Sequence, residues 1–201
     1  MSPSPSVSRI GVVLGSTRPQ RLGDRVCAFV MRHAAQVPGA DFTVLDLCDY
    51  RMPFFNEATA PLSNAARTPA PNVCRWLDDV AAADGFLFLT PEYNHTIPAV
   101  LKNALDFLAE EAYGKPASIL SYSSTVHGGN IAGNELRLTL SKLGMLPLPK
   151  SLPLAHADRL LDESGELIEQ SEWAGRVEAF LPRSLSELVR YAAALKTVRA
   201  A

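Results

Sequence analysis

A run of polar and aromatic residues, "PEYNHT" (91–96), directly follows the apolar segment "GFLFLT" (85–90). The run carries a carboxylate, a phenol, an amide and an imidazole, which belong to Glu92, Tyr93, Asn94 and His95. A carboxylate beside an imidazole suits acid–base catalysis. The backbone amides of a stiff loop, with an aromatic side chain nearby, suit the edge and face of a planar heterocycle instead. Pro91 favours a stiff loop, because proline fixes its own backbone angle and restricts the residue before it.

The acid–base interpretation of this run has little other support. Neither a partner nucleophile nor a metal-type spacing accompanies Glu92 and His95. The simplest alternative is a capped turn, in which Thr96 caps the helix that Pro98 enters and His95 faces solvent. For a lone histidine this alternative is the better supported of the two, and His95 is kept only as a candidate.

A second polar segment, "GSTRPQRLGD" (15–24), joins an apolar strand to a helix. It offers hydroxyls from Ser16 and Thr17, and the guanidinium groups of Arg18 and Arg21 can fork onto phosphate oxygens. The helix N-terminus adds unpaired N–H groups and the positive end of the helix dipole. The glycine fingerprint of dinucleotide-binding loops and the Gly-Lys-Ser/Thr ending of nucleoside-triphosphate loops are both missing. Phosphate binding and simple helix capping, with the arginines in solvent, remain open as alternatives.

The elements that must position these segments alternate between strand and helix. Apolar segments predict five strands, at 9–16, 41–47, 85–90, 116–123 and 145–149. Apolar residues near helical spacing predict helices at 21–37, 72–83, 99–111, 133–144 and 170–194. Asn72 is the expected cap of the second helix, and Pro182 is expected to interrupt the last one. Residues 48–71 read as a long surface loop.

This alternation predicts the fold class. Parallel strands need long crossovers, usually helices, and near-continuous apolar strands suit a sheet that is covered on both faces. We therefore expect an α/β fold with a doubly wound, five-stranded parallel sheet and helices on both faces. In such sheets ligands bind beside the carboxyl ends of the strands, where the strand order reverses. The loops after Leu14, Leu89 and Ser121 should then form one site.

Composition limits the class of protein. The length of 201 residues predicts a single domain, at 9–201. The polar, proline-rich start predicts a disordered tail at 1–8. A net charge of −2 argues against nucleic-acid binding. Apolar runs fall short of the ~20 residues of a membrane span, and the polar start "MSPSPSVS" does not resemble a signal peptide. Three well-separated cysteines, Cys27, Cys48 and Cys74, suit reduced thiols in the cytoplasm.

Three segments carry a resemblance to a known family: "GSTR" after the first strand, "PEYNHTIPAVLKNALDFL" after the third and "SYSSTVHGG" after the fourth. Over residues 9–149 the chain resembles the NADPH-dependent FMN reductases, which have a flavodoxin-like fold and include quinone, azo-dye and chromate reductases. The resemblance implies that Ser16 and Arg18 bind the FMN phosphate. It also implies that residues 91–94 hold the isoalloxazine edge, chiefly through the backbone, and that Gly128 and Gly129 close the third loop beside the ring.

The resemblance thus predicts a cofactor site and neither catalytic nor metal-binding side chains. The predicted cofactor-binding residues are Ser16, Arg18, Arg21, Leu22, Gly23, Pro91, Glu92, Tyr93, Asn94, His95, Ser123, Ser124, Gly128 and Gly129.

The chain departs from the family pattern in two of the loops. Arg21 stands where many relatives carry serine, and Gly23 where some carry asparagine. In the third loop Ser124 and Thr125 occupy positions that are often glycine, and the arginine that many relatives show after the glycine pair is replaced within "NIA" (130–132). We expect the side chains of the third loop either to crowd the flavin or to add hydroxyl contacts to it.

The function implied by the resemblance is that of a cytoplasmic flavoenzyme. FMN would accept hydride from NADPH or NADH and pass it, by ping-pong turnover, to a quinone-like or other small electron acceptor. One alternative is a flavodoxin-type electron carrier without its own nicotinamide reaction, although such carriers are usually strongly acidic. A second alternative is a flavodoxin-like hydrolase or transferase that uses Glu92 on a nucleotide.

Self-association is a further expectation. The helix at 99–112 places Val100, Leu101, Leu105 and Leu108 over a wide apolar arc. The arc serves either ordinary core packing or an interface between subunits. The habit of the family favours a dimer or tetramer with the flavin near the subunit boundary.

Overall fold

A five-stranded parallel sheet forms the centre of the computed structural model, in which residues 7–168 and 172–200 are described. The strands are β1 (Ser8–Leu14), β2 (Ala40–Asp46), β3 (Gly85–Pro91), β4 (Pro116–Tyr122) and β5 (Leu146–Leu154). Their order is β2-β1-β3-β4-β5, and all neighbouring pairs are parallel. This is the flavodoxin-like order, with its switch point between β1 and β3. The predicted fold class is confirmed.

Helices cover both faces of the sheet. They are α1 (Gly23–Ala34), α2 (Leu47–Tyr50), α3 (Pro71–Ala82), α4 (Ala99–Asp106), α5 (Asn130–Lys142), α6 (Ala157–Leu160) and α7 (Glu172–Arg199). Buried side chains of α1 and α7 form one apolar core with the sheet, and those of α3, α4 and α5 form the other. Every residue of the central strands β3 and β4 is buried, as expected for strands covered on both faces. In the described part of the chain, none of the helices is both long and apolar enough to cross a membrane.

Several predicted boundaries are wrong, and the first concerns the start of the chain. Ser8 already pairs with Ala40 as the first residue of β1, so the strand begins inside the predicted tail. The rest of that tail, up to residue 6, lies outside the described residues.

A predicted helix cap and a predicted helix interruption are also wrong. Helix α3, the second of the predicted helices, begins at Pro71, where proline suits the first turn. Asn72 therefore lies inside this helix and is not its cap, and its side-chain amide donates to the Arg51 carbonyl at 2.7 Å. The last helix is not interrupted at Pro182. Apolar side chains before and after this proline, such as Val177 and Leu185, are buried in the same core. Their packing favours a helix that continues past Pro182. The start predicted at residue 170 lies outside the described residues.

The last strand is longer than predicted, with nine residues in place of a short segment ending at 149. Three prolines lie within it, at 147, 149 and 153. They are tolerated because, among the described residues, β5 pairs on one side only, with β4, and a proline at a sheet edge can face away from the ladder.

The long loop between α2 and α3 is held to the rest of the molecule by side chains. Asn103 of α4 accepts a hydrogen bond from the Phe55 N–H and donates one to the Pro53 carbonyl, both at 2.8 Å. Arg67 pairs with Glu57 at 3.5 Å and with Glu111 at 3.4 Å. The asparagine of the "LKN" sequence thus serves as an anchor for this loop.

Candidate functional site

A cleft of about 340 Å³ opens at the carboxyl end of the sheet. Residues 18–22, 91–93 and 122–124 line it together with Asp158. The three loops that the sequence singled out therefore converge, although they are far apart in the chain. Among the predicted site residues, Ser16, Gly23, Asn94, His95, Gly128 and Gly129 are not part of the cleft lining.

Ser16 links the first loop to the second. Its side chain is buried, and its Oγ lies 2.7 Å from Tyr93 Oη. The N–H of Arg18 donates to the same Oγ at 3.4 Å, and the N–H of Gly15 donates to the Leu89 carbonyl at 2.9 Å. These contacts join the ends of the neighbouring strands β1 and β3 and fix the relative positions of the two loops.

The two arginines of the first loop lie in different environments. Arg18 is exposed at the cleft, and its guanidinium carbon lies 5.3 Å from the centroid of the Tyr93 ring. The side chain of Arg21 is only 9% exposed. Its guanidinium donates to Asp24 at 2.8 Å, to Asp46 at 2.8 Å and to the Ser16 carbonyl. Arg21 braces the loop from within, whereas Arg18 presents its charge to the cleft.

The electrostatics of the Arg21 site follow from this pairing. The hydrogen bond with Asp46 is the main cause that raises the pKa of Arg21. Burial disfavours the charged form of Asp46, but the hydrogen bonds from Arg21 and from the Cys48 N–H outweigh it and lower the Asp46 pKa. Both groups therefore stay charged near neutral pH.

The N-terminus of α1 borders the cleft without a polar cap. Its N-cap residue is Leu22, whose side chain cannot accept a hydrogen bond, so the capping role considered for Ser16 and Thr17 is wrong. The first N–H groups of a helix have no intrahelical partner, and the dipole makes this end partly positive. An uncapped helix N-terminus beside an exposed arginine is an arrangement that suits an anion.

The second loop turns back on itself immediately after β3. Tyr93 and Thr96 exchange backbone hydrogen bonds of 2.9 and 3.1 Å, and Asn94 and His95 between them have φ values of 51° and 63°. Two successive positive φ angles are those of a type I′ turn. The N–H of Thr96 is thereby engaged in the turn, and α4 has Pro98 at its N-cap instead of Thr96. The side chain of His95 is 77% exposed, as the capped-turn alternative expects.

Glu92 caps helix α5. One carboxylate oxygen accepts hydrogen bonds from the N–H groups of Ile131 at 3.0 Å and Ala132 at 3.2 Å, and the other lies 3.3 Å from His95 Nδ1. A carboxylate at the N-terminus of a helix satisfies unpaired donors and complements the dipole. Glu92 therefore joins the second loop to the third, and the hydrolase or transferase alternative loses the free carboxylate on which it depends.

The third loop passes very close to the ends of the neighbouring strands. Gly128 and Gly129 have φ values of 58° and 73°, a region that favours glycine. A Cβ on Gly128 would lie 2.8 Å from the Ala155 nitrogen, and one on Gly129 would lie 2.9 Å from the Tyr122 carbonyl oxygen. The glycine pair is thus required by the path of the backbone.

The hydroxyls of this loop pair largely with one another. Ser123 Oγ lies 2.9 Å from Thr125 Oγ1 and accepts a hydrogen bond from the Thr125 N–H at 3.2 Å. Ser123 and Ser124 line the cleft and Thr125 does not. The Ser123 and Thr125 side chains form a local turn, and it is Ser124 that presents a further side chain to the cleft.

Four lining residues are not among the predicted site residues. Two of them, Pro19 and Gln20, lie within the first loop, and the other two are Tyr122 and Asp158. Tyr122 ends β4 and is almost completely buried, and Asp158 lies in α6, beyond the residues 9–149 that carry the resemblance. The position of Tyr122 directly before the third loop is a signal that sequence reasoning had available. Asp158 had no such signal, because only the path of β5 brings it to the cleft.

A doubly wound sheet in this order, with a polar cleft at the carboxyl end of its strands, defines a flavodoxin-like protein. Comparison with known proteins narrows the class. The sequence model of the NADPH-dependent FMN reductase family matches residues 8–159. The chain belongs to this family.

Individual relatives agree with this assignment. An NAD(P)H-dependent FMN reductase of Schizosaccharomyces pombe is 34% identical over 141 residues, which cover 70% of each chain. One from Nectria sp. is 32% identical and covers 90% of this chain and 96% of its own. Among solved structures, the NAD(P)H:acceptor oxidoreductase FerB of Paracoccus denitrificans superposes with a TM-score of 0.73 at 24% identity, covering 92% of this chain and 97% of its own, and supports the fold.

Proposed function

We propose that the protein is an FMN-dependent oxidoreductase that takes hydride from NADPH or NADH and reduces a quinone-like or other small acceptor. The observation that carries this proposal is the convergence of two features on one cleft. An uncapped helix N-terminus with Arg18 lies at one part of it, and the stiff loop 91–93 lies at another. The names of the relatives support the proposal, since a quinone reductase of Pseudomonas putida is among them.

The residues present suit FMN. The volume of the cleft, about 340 Å³, falls in the range of roughly 300–1,000 Å³ that is usual for small-molecule sites. The helix N-terminus and Arg18 suit a phosphate, and the polar backbone of the second loop suits the rim of a flavin. Bound FMN would supply the hydride-transfer chemistry.

The contribution of the chain is binding and positioning. Arg18 and the first turn of α1 hold the phosphate. The Ser16–Tyr93 hydrogen bond and the Glu92 cap on α5 keep the three loops in register around the ring. Because Glu92 is already engaged in capping, the proposed reaction uses no acid or base from the protein.

Turnover by a ping-pong mechanism is part of the proposal, since one cleft would receive nicotinamide and acceptor in turn. Steady-state oxidation of NADPH by the FMN-loaded protein, with a benzoquinone as acceptor, tests the activity. We expect parallel lines in double-reciprocal plots at several quinone concentrations. An FMN-loaded protein that does not oxidise NADPH or NADH contradicts the proposed activity and favours the electron-carrier alternative.

Self-association and a cytoplasmic location also belong to the proposal. The apolar arc predicted over residues 99–112 is no argument for a subunit interface, because Leu101, Leu105 and Leu108 are all buried within the chain and only Val100 of the four is partly exposed. The habit of the family remains the reason to expect a dimer or tetramer. Light scattering of the FMN-loaded protein tests this, and a monomer at micromolar concentration contradicts it.

A further inference from the structure

Tyr122 is the largest buried side chain that borders the cleft. It ends β4, is 2% exposed and packs in the core formed with α1 and α7. A tyrosine in such a place normally finds a hydrogen-bond partner for its hydroxyl. The Tyr122 hydroxyl makes no hydrogen bond to any residue in the described part of the chain.

The unpaired hydroxyl of Tyr122 needs an explanation. The other buried tyrosine of the core, Tyr50, donates its hydroxyl to Asp79 at 2.6 Å. Buried polar atoms are paired in the great majority of cases, and an unpaired one is unfavourable unless something else satisfies it. Phenylalanine would fill the same space without this penalty, so the hydroxyl is the feature to be explained.

The position of the hydroxyl indicates what satisfies it. A Cβ built on Gly23 would lie 2.4 Å from Tyr122 Oη, so the phenol oxygen rests against the first residue of α1. The hydroxyl therefore lies at the uncapped, partly positive end of this helix, beside the loop that carries Arg18. A ligand group that binds there is an anion with oxygen acceptors.

The phenol is suited to donate to such an anion. Burial raises the pKa of Tyr122 above its ordinary value, so the hydroxyl keeps its proton. A neutral hydroxyl can donate to a phosphate oxygen, whereas a phenolate would repel it. Gly23 has a matching role, because any side chain there would occupy the position of the phenol oxygen.

We propose that Tyr122 donates a hydrogen bond from its hydroxyl to the phosphate of bound FMN. This inference rests on the proposed function, since it assigns a further binding residue to the same cleft. The hydroxyl adds a neutral, buried donor to the phosphate site, whereas Arg18 adds an exposed positive charge. In the proposal this hydroxyl remains unpaired until the ligand binds.

The substitution Tyr122→Phe tests the assignment, because it removes one oxygen and keeps the shape of the ring. We expect the thermal midpoint of the FMN-free protein to stay the same or rise, since an unpaired hydroxyl is lost. We expect FMN affinity to fall about ten-fold, the scale of a hydrogen bond to a charged group. Affinity for riboflavin, which lacks the phosphate, should change less than about two-fold on the same reasoning.

Tyr50→Phe is the matched control, since it removes a paired hydroxyl on the other face of the sheet. It should lower the thermal midpoint and leave FMN affinity unchanged. The inference is overturned if Tyr122→Phe binds FMN as tightly as the wild type, or if riboflavin affinity falls as far as FMN affinity. Failure of the wild-type protein to bind FMN would instead overturn the proposed function itself.

Discussion

Arg18 and Arg21 lie three residues apart in one loop and have different tasks. Arg21 is surrounded by acceptors from Asp24, Asp46 and the Ser16 backbone, whereas Arg18 contacts a tyrosine ring from the solvent side. A guanidinium whose donors are satisfied within the protein stabilises the fold. One that faces a cleft is available to a ligand. The two residues therefore respond differently to substitution.

Arg18→Ala should weaken FMN binding with little effect on stability. We expect a loss of about 1.5–3 kcal/mol in binding free energy, the scale of a charged hydrogen bond. The free energy of unfolding should change by no more than about 1 kcal/mol, the scale of an exposed cation–π contact. Fluorescence titration with FMN and urea denaturation measure the two effects. Arg176→Ala, an exposed arginine on α7, serves as the control, and unchanged FMN affinity in Arg18→Ala removes Arg18 from the site.

Arg21→Met, in contrast to Arg18→Ala, should clearly lower the stability of the fold. The substitution leaves Asp46, whose side chain is 21% exposed, without its cationic partner. Because this pair is only partly buried, we expect a loss of about 2–4 kcal/mol in unfolding free energy, somewhat less than for a fully buried pair. Urea denaturation of the FMN-free protein measures this. Adding Asp46→Asn should recover part of the loss, because it removes the unpaired charge. A double variant as unstable as the sum of the two single variants argues against the pairing.

At the scale of elements, the cleft is held together by side chains that join one loop to the next helix. Glu92 comes from the loop after β3 and caps α5, the helix after the following strand. The Ser16–Tyr93 hydrogen bond joins the loops after β1 and β3 in a similar way. The site therefore depends on the relative placement of three strand ends, and each of these links should couple stability to ligand binding.

Glu92→Gln distinguishes a capping role from a catalytic one. Glutamine keeps an oxygen acceptor for the α5 N–H groups but loses the charge that favours the helix dipole, so we expect a loss of about 0.5–1.5 kcal/mol in unfolding free energy. NADPH oxidation by the FMN-loaded variant should fall by less than about ten-fold, since general acid–base catalysis contributes roughly 100-fold or more. A larger fall in kcat at unchanged FMN affinity would assign Glu92 a part in the chemistry.

At the scale of the whole molecule, Asp84 connects the beginning of the described chain to its end. Its carboxylate accepts hydrogen bonds from the Arg9 N–H of β1 and from Lys196 of α7, both at 2.9 Å, and lies 3.5 Å from Arg199. Burial disfavours its charge, but these donors outweigh burial and lower the Asp84 pKa. Asp84 thus stabilises the fold in its charged form.

The pH dependence follows from this shift. The stabilisation is fully present above the ordinary carboxyl pKa of 3.8 and is lost as the pH falls through the lower pKa of the folded state. Asp84→Asn should lower the unfolding free energy at pH 7 by about 1.5–3 kcal/mol and should flatten the acid side of the stability profile. Asp41→Asn, an exposed carboxylate on β2, is the control. An equal loss at pH 7 and at pH 3 would argue against the charged role of Asp84.

The sequence predicted the fold well because its signals are local. Where apolar strands alternate with amphipathic helices, each helix connects two parallel strands. The loops that follow the strands then lie at one edge of the sheet. Boundaries were less reliable where packing decides them, as at Pro182, which lies within a continuous helix because the buried face continues on both sides.

Roles of individual site residues were harder to predict, because they depend on contacts between distant segments. Glu92 looked like a catalytic or ring-facing group, yet its partners lie 39 and 40 residues further along the chain. Arg21 looked like a phosphate ligand, and its main partner is Asp46 of the neighbouring strand. Residue types and spacing identified the cleft, but only the geometry assigns each side chain within it.

The most direct test of this account is a titration of the purified, flavin-free protein with FMN, followed by the visible difference spectrum. We expect saturable binding with one FMN per chain and a perturbed flavin band that bleaches when NADPH or NADH is added without oxygen. Folded protein that leaves the spectrum of added FMN unchanged would contradict the central claim.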